Sequence, residues 1–185
     1  NVSGKVSGEF RQTALYALLA AMGAIALYIW IRFEWQFGVG ALFALFHDVS
    51  LTLGMFALFQ LEFSLQIIAA ILAIIGYSLN DTIVVSDRIR ENFRKIRKST
   101  PVDIINTSLN QTLGRTLVTS GTTLFVLVAL LVAGGETIKG FAAALTIGVV
   151  VGTYSSIYVA SNMLLLLNLS REDLLIPEKE DKHQD

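Results

Sequence analysis

The chain has 185 residues, with 14 Lys and Arg against 15 Asp and Glu, a formal net charge of −1 and no cysteine. Near-neutrality excludes the basic footprint of a nucleic-acid-binding domain, and the absence of cysteine excludes disulfides and thiolate metal sites. Only 16% of residues are charged and 54% are hydrophobic, against about 25% charged in an ordinary globular domain, which points to a membrane protein.

Residues 1–11 (NVSGKVSGEFR) read as a Gly- and Ser-bearing linker into a helix. Five stretches then carry the roughly 20 apolar residues that a helix needs to cross a bilayer core. They are 12–31, 38–59, 65–86, 116–134 and 140–168. The links at 32–37, 60–64 and 134–139 are short, so consecutive helices are antiparallel neighbours. The longer link, 87–115, is expected to continue the third helix to about residue 98, with Glu91 and Lys95 one turn apart. Ser99-Thr100-Pro101 then breaks the helix. Thr100 is the expected N-cap of a new one, with Pro101 at its first position and Asp103 as the capping acid. Val102, Ile105 and Leu109 give this segment an apolar stripe, so 101–112 is expected to lie along the membrane interface. Residues 171–185 form an acidic tail. The predicted fold class is therefore an all-α integral membrane bundle of five transmembrane helices.

Arg88, Arg90, Arg94, Lys95, Arg97, Lys98 and Arg115 all lie in the 87–115 link, whereas the 60–64 link has no basic residue and the 134–139 link only Lys139. The positive-inside rule makes 87–115 cytoplasmic, which puts the N-terminus outside and the tail at 171–185 inside. Tyr28, Trp30 and Trp35 match an aromatic belt at the first cytoplasmic crossing. The basic cluster at 88–98 is a topology signal and headgroup-binding face, with docking of a cytoplasmic partner as the alternative. An N-out chain with five spans and no signal peptide is expected to be the C-terminal part of a longer protein, whose first span and external domain lie elsewhere.

Polar residues inside apolar spans are expensive and usually functional. Asp81, beside Asn80 in GYSLNDTIVVSD, is either a protonatable group facing the bundle interior or a carboxylate that reaches the interface or pairs with another helix. Asp48 sits near the middle of the second span, too deep for its side chain to reach water. Its neighbour His47 could relay protons with it, and the alternatives are an interhelical hydrogen bond or an Asp held protonated. Arg115 opens the fourth span, with Thr112, Thr116, Thr119, Ser120 and Thr123 at helical spacing behind it. It is either the counter-charge of Asp81 on a polar path or an interfacial anchor. Gly148 and Gly152 form a GxxxG that favours close helix packing. No Walker A, GxGxxG, nucleophile elbow or zinc pattern is present, so no enzyme activity, cofactor or metal is expected.

Three segments, HDVSLTLG (47–54), GYSLNDTIVVSDRIRENFRKIRK (76–98) and RTLVTSGTT (115–123), together resemble the SecF branch of the SecD/SecF family of protein-export membrane subunits, within the resistance-nodulation-division (RND) superfamily. The likeness runs from VSGKVSGEF to about Arg171. It implies a six-span architecture with a periplasmic domain after the first span, so that the five spans here are the second to sixth. It also implies a bacterial inner-membrane protein that works with SecD at the SecY/SecE/SecG channel, with YajC and YidC as further partners, and uses the proton motive force to promote preprotein export. By the same likeness, Asp81 is the key intramembrane carboxylate and Arg115 its basic counterpart, while Asn80, His47 and Asp48 belong to the same region. The rival readings are a fragment of a general RND-type proton-coupled exporter and a structural membrane scaffold.

Overall fold

The computed structural model describes residues 2–60, 65–170 and 172–174, with residues 2–11 and 65 described by their backbone alone. Helix α1 (Val2–Arg32) is followed by α2 (Trp35–Leu58), α3 (Leu65–Lys95), α4 (Pro101–Ala133) and α5 (Glu136–Tyr154). A π-helical turn at Ser155–Val159 then leads into α6 (Ala160–Leu166), and a short 3₁₀ turn at Glu172–Leu174 follows. Among the described residues, five segments are long and apolar enough to cross a membrane, the last of them the continuous α5–α6 unit, Glu136–Leu166. No strand occurs among the described residues.

Local chemistry explains where the helices break. The α1–α2 turn is two residues long, and Glu34 adopts an extended backbone before α2 without a side-chain cap. Thr100 caps α4 as expected: its hydroxyl accepts the Asp103 amide at 3.2 Å and donates to the Asp103 carboxylate at 2.7 Å. At the end of α6, Asn168 takes a left-handed conformation with φ of 52°. The Leu169 amide then reaches the Leu164 carbonyl and the Asn168 amide the Leu165 carbonyl, each at 3.0 Å. Asparagine tolerates this conformation better than most residues because its short side chain bonds locally.

Two expectations from the sequence change. Helix α1 starts at Val2, so the stretch read as a linker is helical. Residues 101–112 do not form a separate interfacial helix but the first third of an uninterrupted α4. Its buried face there is Ile104, Ile105, Ser108 and Thr112, while Val102 is exposed. Ser108 turns inward to accept from Asn92 of α3, while the buried Thr112 bonds the Ser108 carbonyl of its own helix, effects that apolar periodicity cannot report. The 60–64 link and most of the acidic tail lie outside the described residues.

Helix α3 is the hub, packed against α2, α4 and α5. Its buried residues Ile67, Ile71 and Ile75 share one core cluster with Phe37 and Leu45 of α2 and Ala144 of α5, and Ile74 stands against Gly148 of α5. Helix α1 and the outer face of α4 are barely covered; Trp30, Ile31, Phe125 and Val132 are largely exposed. Outward apolar side chains of this kind suit contact with lipid chains, which are as apolar as leucine.

Candidate functional site

Helix α5 approaches α3 closely because Gly148 and Gly152 have no side chains where the two backbones meet. A Cβ on Gly148 would overlap Ile74, and one on Gly152 would lie 3.3 Å from Ser78 Cβ and 3.6 Å from Asp48 Oδ2. The second glycine thus leaves space for a polar cluster at the junction of α2, α3 and α5.

That cluster is built on Asp48, which is 0% exposed. Ser78 Oγ donates to Asp48 Oδ2 at 2.5 Å, and His47 Nδ1 stands 3.1 Å from Asp48 Oδ1, within hydrogen-bond reach, with the place of the proton set by the ring tautomer. Thr52 Oγ1 donates to the Asp48 carbonyl at 2.8 Å. Of the alternatives open in the sequence, the interhelical hydrogen bond is present, and His47 is bonded to Asp48 as well. The His47 side chain is 28% exposed and that of Asp48 1%, so the pair joins a partly exposed group to a buried one. Close by, Ser155 in the π-helical turn donates to the Ala44 carbonyl at 3.4 Å; turns of this kind often sit at functional positions.

Asp81 is three residues beyond Ser78 and 3% exposed. At about 100° per residue, Tyr77, Asp81 and Ser78 fan out at roughly 0°, 40° and 100° around α3. Asp81 therefore points between two polar systems: the Asp48 cluster on one side and, on the other, a hydroxyl chain. In that chain Tyr77 donates to Ser120 at 2.9 Å, and Ser120 meets Thr153 at 2.6 Å. Asp81 Oδ2 is buried and has no hydrogen-bond partner. Asn80, expected beside it, is exposed; its one-residue offset turns it away from the interior.

Arg115 does not pair with Asp81. Its side chain lies on the exposed side of α4. It lines an open cleft of about 230 Å³ between α3 and α4 with Val84, Asp87, Arg88, Gln111 and Thr112. The hydroxyl residues grouped with Arg115 in the sequence divide between faces. Thr112, Thr116 and Ser120 are buried against the bundle, whereas Thr119 donates to the Arg115 carbonyl and Thr123 to the Thr119 carbonyl, each at 2.9 Å.

At the end of the bundle that carries the basic cluster, Glu34 collects two arginines: Arg90 Nη2 is 3.0 Å away and Arg94 Nη2 3.9 Å. Arg88 and Lys95 both pair with Glu91, at 2.9 and 2.5 Å. Arg97 and Lys98 are exposed. Asn92 donates to Ser108 at 2.8 Å and to Gln111 at 2.9 Å, tying α3 to α4. The part played by Glu34 is absent from the sequence reading, although a lone acid in a two-residue turn opposite a basic run is a usable signal.

An all-helical bundle with two buried carboxylates inside its apolar spans defines a class of polytopic membrane protein built around intramembrane ionisable groups. The chain belongs to the SecD/SecF family of protein export membrane proteins, whose C-terminal region model matches residues 1–170. It is 54% identical over 179 residues to the protein translocase subunit SecF of Vibrio alginolyticus, covering 97% of this chain and 57% of that protein. It is 51% identical over 184 residues to that of Escherichia coli O157:H7, covering 100% and 57%. The crystal structure of SecDF, a translocon-associated membrane protein from Thermus thermophilus, superposes with a TM-score of 0.82 at 49% identity, covering 85% of this chain and 22% of that one. The chain thus spans little more than half the length of the SecF relatives it matches.

Proposed function

We propose that this chain is the membrane-embedded part of a SecF-like subunit that works with SecD to promote preprotein export across the bacterial inner membrane. In this reading it draws on the proton motive force, with the SecY/SecE/SecG channel as the partner machine and YajC and YidC as associated subunits. The observation that carries the reading is Asp81, buried in a membrane-crossing helix with Oδ2 unpartnered. Burying such a group is costly unless its charge state or surroundings change during work. Asp48, His47 and Arg115 complete the proposed ion path, with the cleft beside Arg115 as its cytoplasmic mouth.

The end bearing Arg88, Arg90, Arg94, Lys95, Arg97 and Lys98 is cytoplasmic in this reading, which places the N-terminus of α1 in the periplasm and the end of α6 inside. The identity to SecF relatives over nearly the whole chain favours this role over a general RND-type exporter. Proton binding at Asp81 would change the packing of α3 against α4 and α5, and one elementary charge crossing 100 mV supplies about 2.3 kcal/mol to drive such a change.

The deciding experiment replaces Asp81 by asparagine in the full-length protein and measures preprotein export in membranes with and without a proton gradient. Normal assembly with loss of the gradient-dependent component is the expected result. Export that keeps its full gradient dependence would refute the ion path through Asp81 and leave a structural scaffold as the reading.

A further inference from the structure

We infer that Thr116 holds a water molecule against Asp81 Oδ2 and so sets the geometry of proton transfer at that carboxylate; the inference rests on the proposed ion path through Asp81.

Thr116 is 1% exposed, and its Oγ1 is buried without a hydrogen-bond partner, like Asp81 Oδ2. Its neighbours on α4 behave otherwise. Thr112 donates to the Ser108 carbonyl at 3.0 Å, Thr119 to the Arg115 carbonyl at 2.9 Å and Thr122 to the Val118 carbonyl at 2.9 Å. A helical threonine has its preceding-turn carbonyl always within reach. Thr116 is the one of these whose hydroxyl does not take it.

The two unpartnered atoms belong to facing turns. Helices α3 and α4 are antiparallel, and their register is pinned by Tyr77 to Ser120 at 2.9 Å and by Asn92 to Ser108 at 2.8 Å. Four residues along α3 from Tyr77 is Asp81, and four residues back along α4 from Ser120 is Thr116. Each step is about 6 Å in the same direction. A carboxylate oxygen and a hydroxyl on such facing turns would give a water two of the two to four polar partners it needs.

Access comes from the same side. The cleft between α3 and α4 is lined by Val84, three residues beyond Asp81, and by Thr112, one turn before Thr116. Water filling that cleft stands one helical turn from the pair. In one transfer the held water gives a proton to Oδ2 and takes one from the water behind it, so the held water is unchanged, Oδ2 gains the proton, and the aqueous phase in the cleft supplies it as hydronium. The Thr116 hydroxyl fixes the direction of the donated hydrogen and makes no bond to the transferred proton. It is a positioning residue.

The test uses the full-length protein with its partner subunit in proteoliposomes, with proton flux read by a pH-sensitive dye under an imposed gradient. Thr116→Val keeps the shape and removes the hydroxyl, Thr116→Ser keeps the hydroxyl, and Asp81→Asn is the control. The expected result is a Thr116→Val protein that assembles and melts close to the parent, because the methyl fills the place of the hydroxyl in the packing, yet has a flux lower by roughly tenfold or more. That size is modest beside the 10²–10⁴-fold that positioned proton transfer contributes. Thr116→Ser should restore the flux. Normal flux in Thr116→Val beside a dead Asp81→Asn would overturn the inference and leave the ion path standing. So would a flux that falls only in step with melting temperature. Flux preserved in Asp81→Asn would remove the ion path itself, and this inference with it. If Thr116→Val fails to assemble, Thr116→Ala is compared with Thr116→Ser, and equal fluxes overturn the inference.

Discussion

Replacing Gly148 by alanine should destabilise the bundle far beyond what one methyl group does on an exposed helix. The new Cβ would stand 3.0 Å from Ile74 Cγ2 and nearer still to Cγ1 and Cδ1. Ordinary carbon–carbon contact is about 3.5–4.0 Å, so even the most distant of the three atoms is about 0.5–1 Å too close. Cγ1 and Cγ2 are attached directly to the Ile74 β-carbon, which two heavy atoms hold stiffly at χ1, and the residue is 1% exposed. Rotation offers little relief, and α5 must shift away from α3. Overpacking of this kind costs roughly 1–3 kcal/mol, more than alanine's helix propensity returns, about 1 kcal/mol. The assay is thermal unfolding of the full-length protein in detergent for Gly148→Ala, Ile74→Ala and the double variant. Ile74→Ala removes all three clashing atoms, so the double variant should be more stable than the sum of the single effects by roughly 1–3 kcal/mol. A Gly148→Ala protein as stable as its parent, or strictly additive effects, would refute the close-approach argument.

Asp48→Ala should cost about 1–3 kcal/mol, because the Ser78 hydroxyl would be left buried without its acceptor. Asp48→Asn, which keeps an oxygen for Ser78, should cost clearly less in the same melting experiment, and equal losses would show that the hydrogen bond is not the source. Glu34→Gln should loosen the end of the bundle where Arg90 and Arg94 converge. Hydrogen exchange should rise at the start of α2 and the end of α3, and the difference from the parent should shrink at high salt as screening weakens the pairs; protection unchanged at low salt would contradict the role assigned to Glu34.

The helices could be read from the sequence because each bilayer-length apolar run is its own signal, and Thr100-Pro101 marks a break by local chemistry alone. Asp81 and Asp48 were also legible, since a carboxylate in an apolar span stands out in any context. What escaped was pairing across helices. Ser78 as the donor to Asp48, Ile74 as the neighbour of Gly148 and Glu34 as the acceptor for Arg90 depend on register between segments that are 30 to 74 residues apart in the chain. Arg115 shows the complementary case: its spacing from Thr112 and Thr119 suggested a shared face, but the hydroxyl positions of α4 divide, with Thr112, Thr116 and Ser120 buried and Arg115 exposed at the cleft. The π-helical turn at Ser155–Val159, which lies against α2 and α3, has no marker in the residue pattern.

From Tyr77 to Lys95, α3 contains neither glycine nor proline and runs without a break past the level of Asp81 to the basic end. It is a rigid rod with a fulcrum near its middle. Lys95 lies fourteen residues beyond Asp81, about 21 Å along the axis, so a tilt of about 5° at the carboxylate sweeps the far end through about 2 Å. That displacement equals a large part of a hydrogen-bond length. It would be delivered to the start of α4 through Asn92, to the α1–α2 turn through Arg90, and to the Leu174 carbonyl through Arg94. A change in charge at one buried atom could in this way be felt as movement at three separate points on the surface of the bundle.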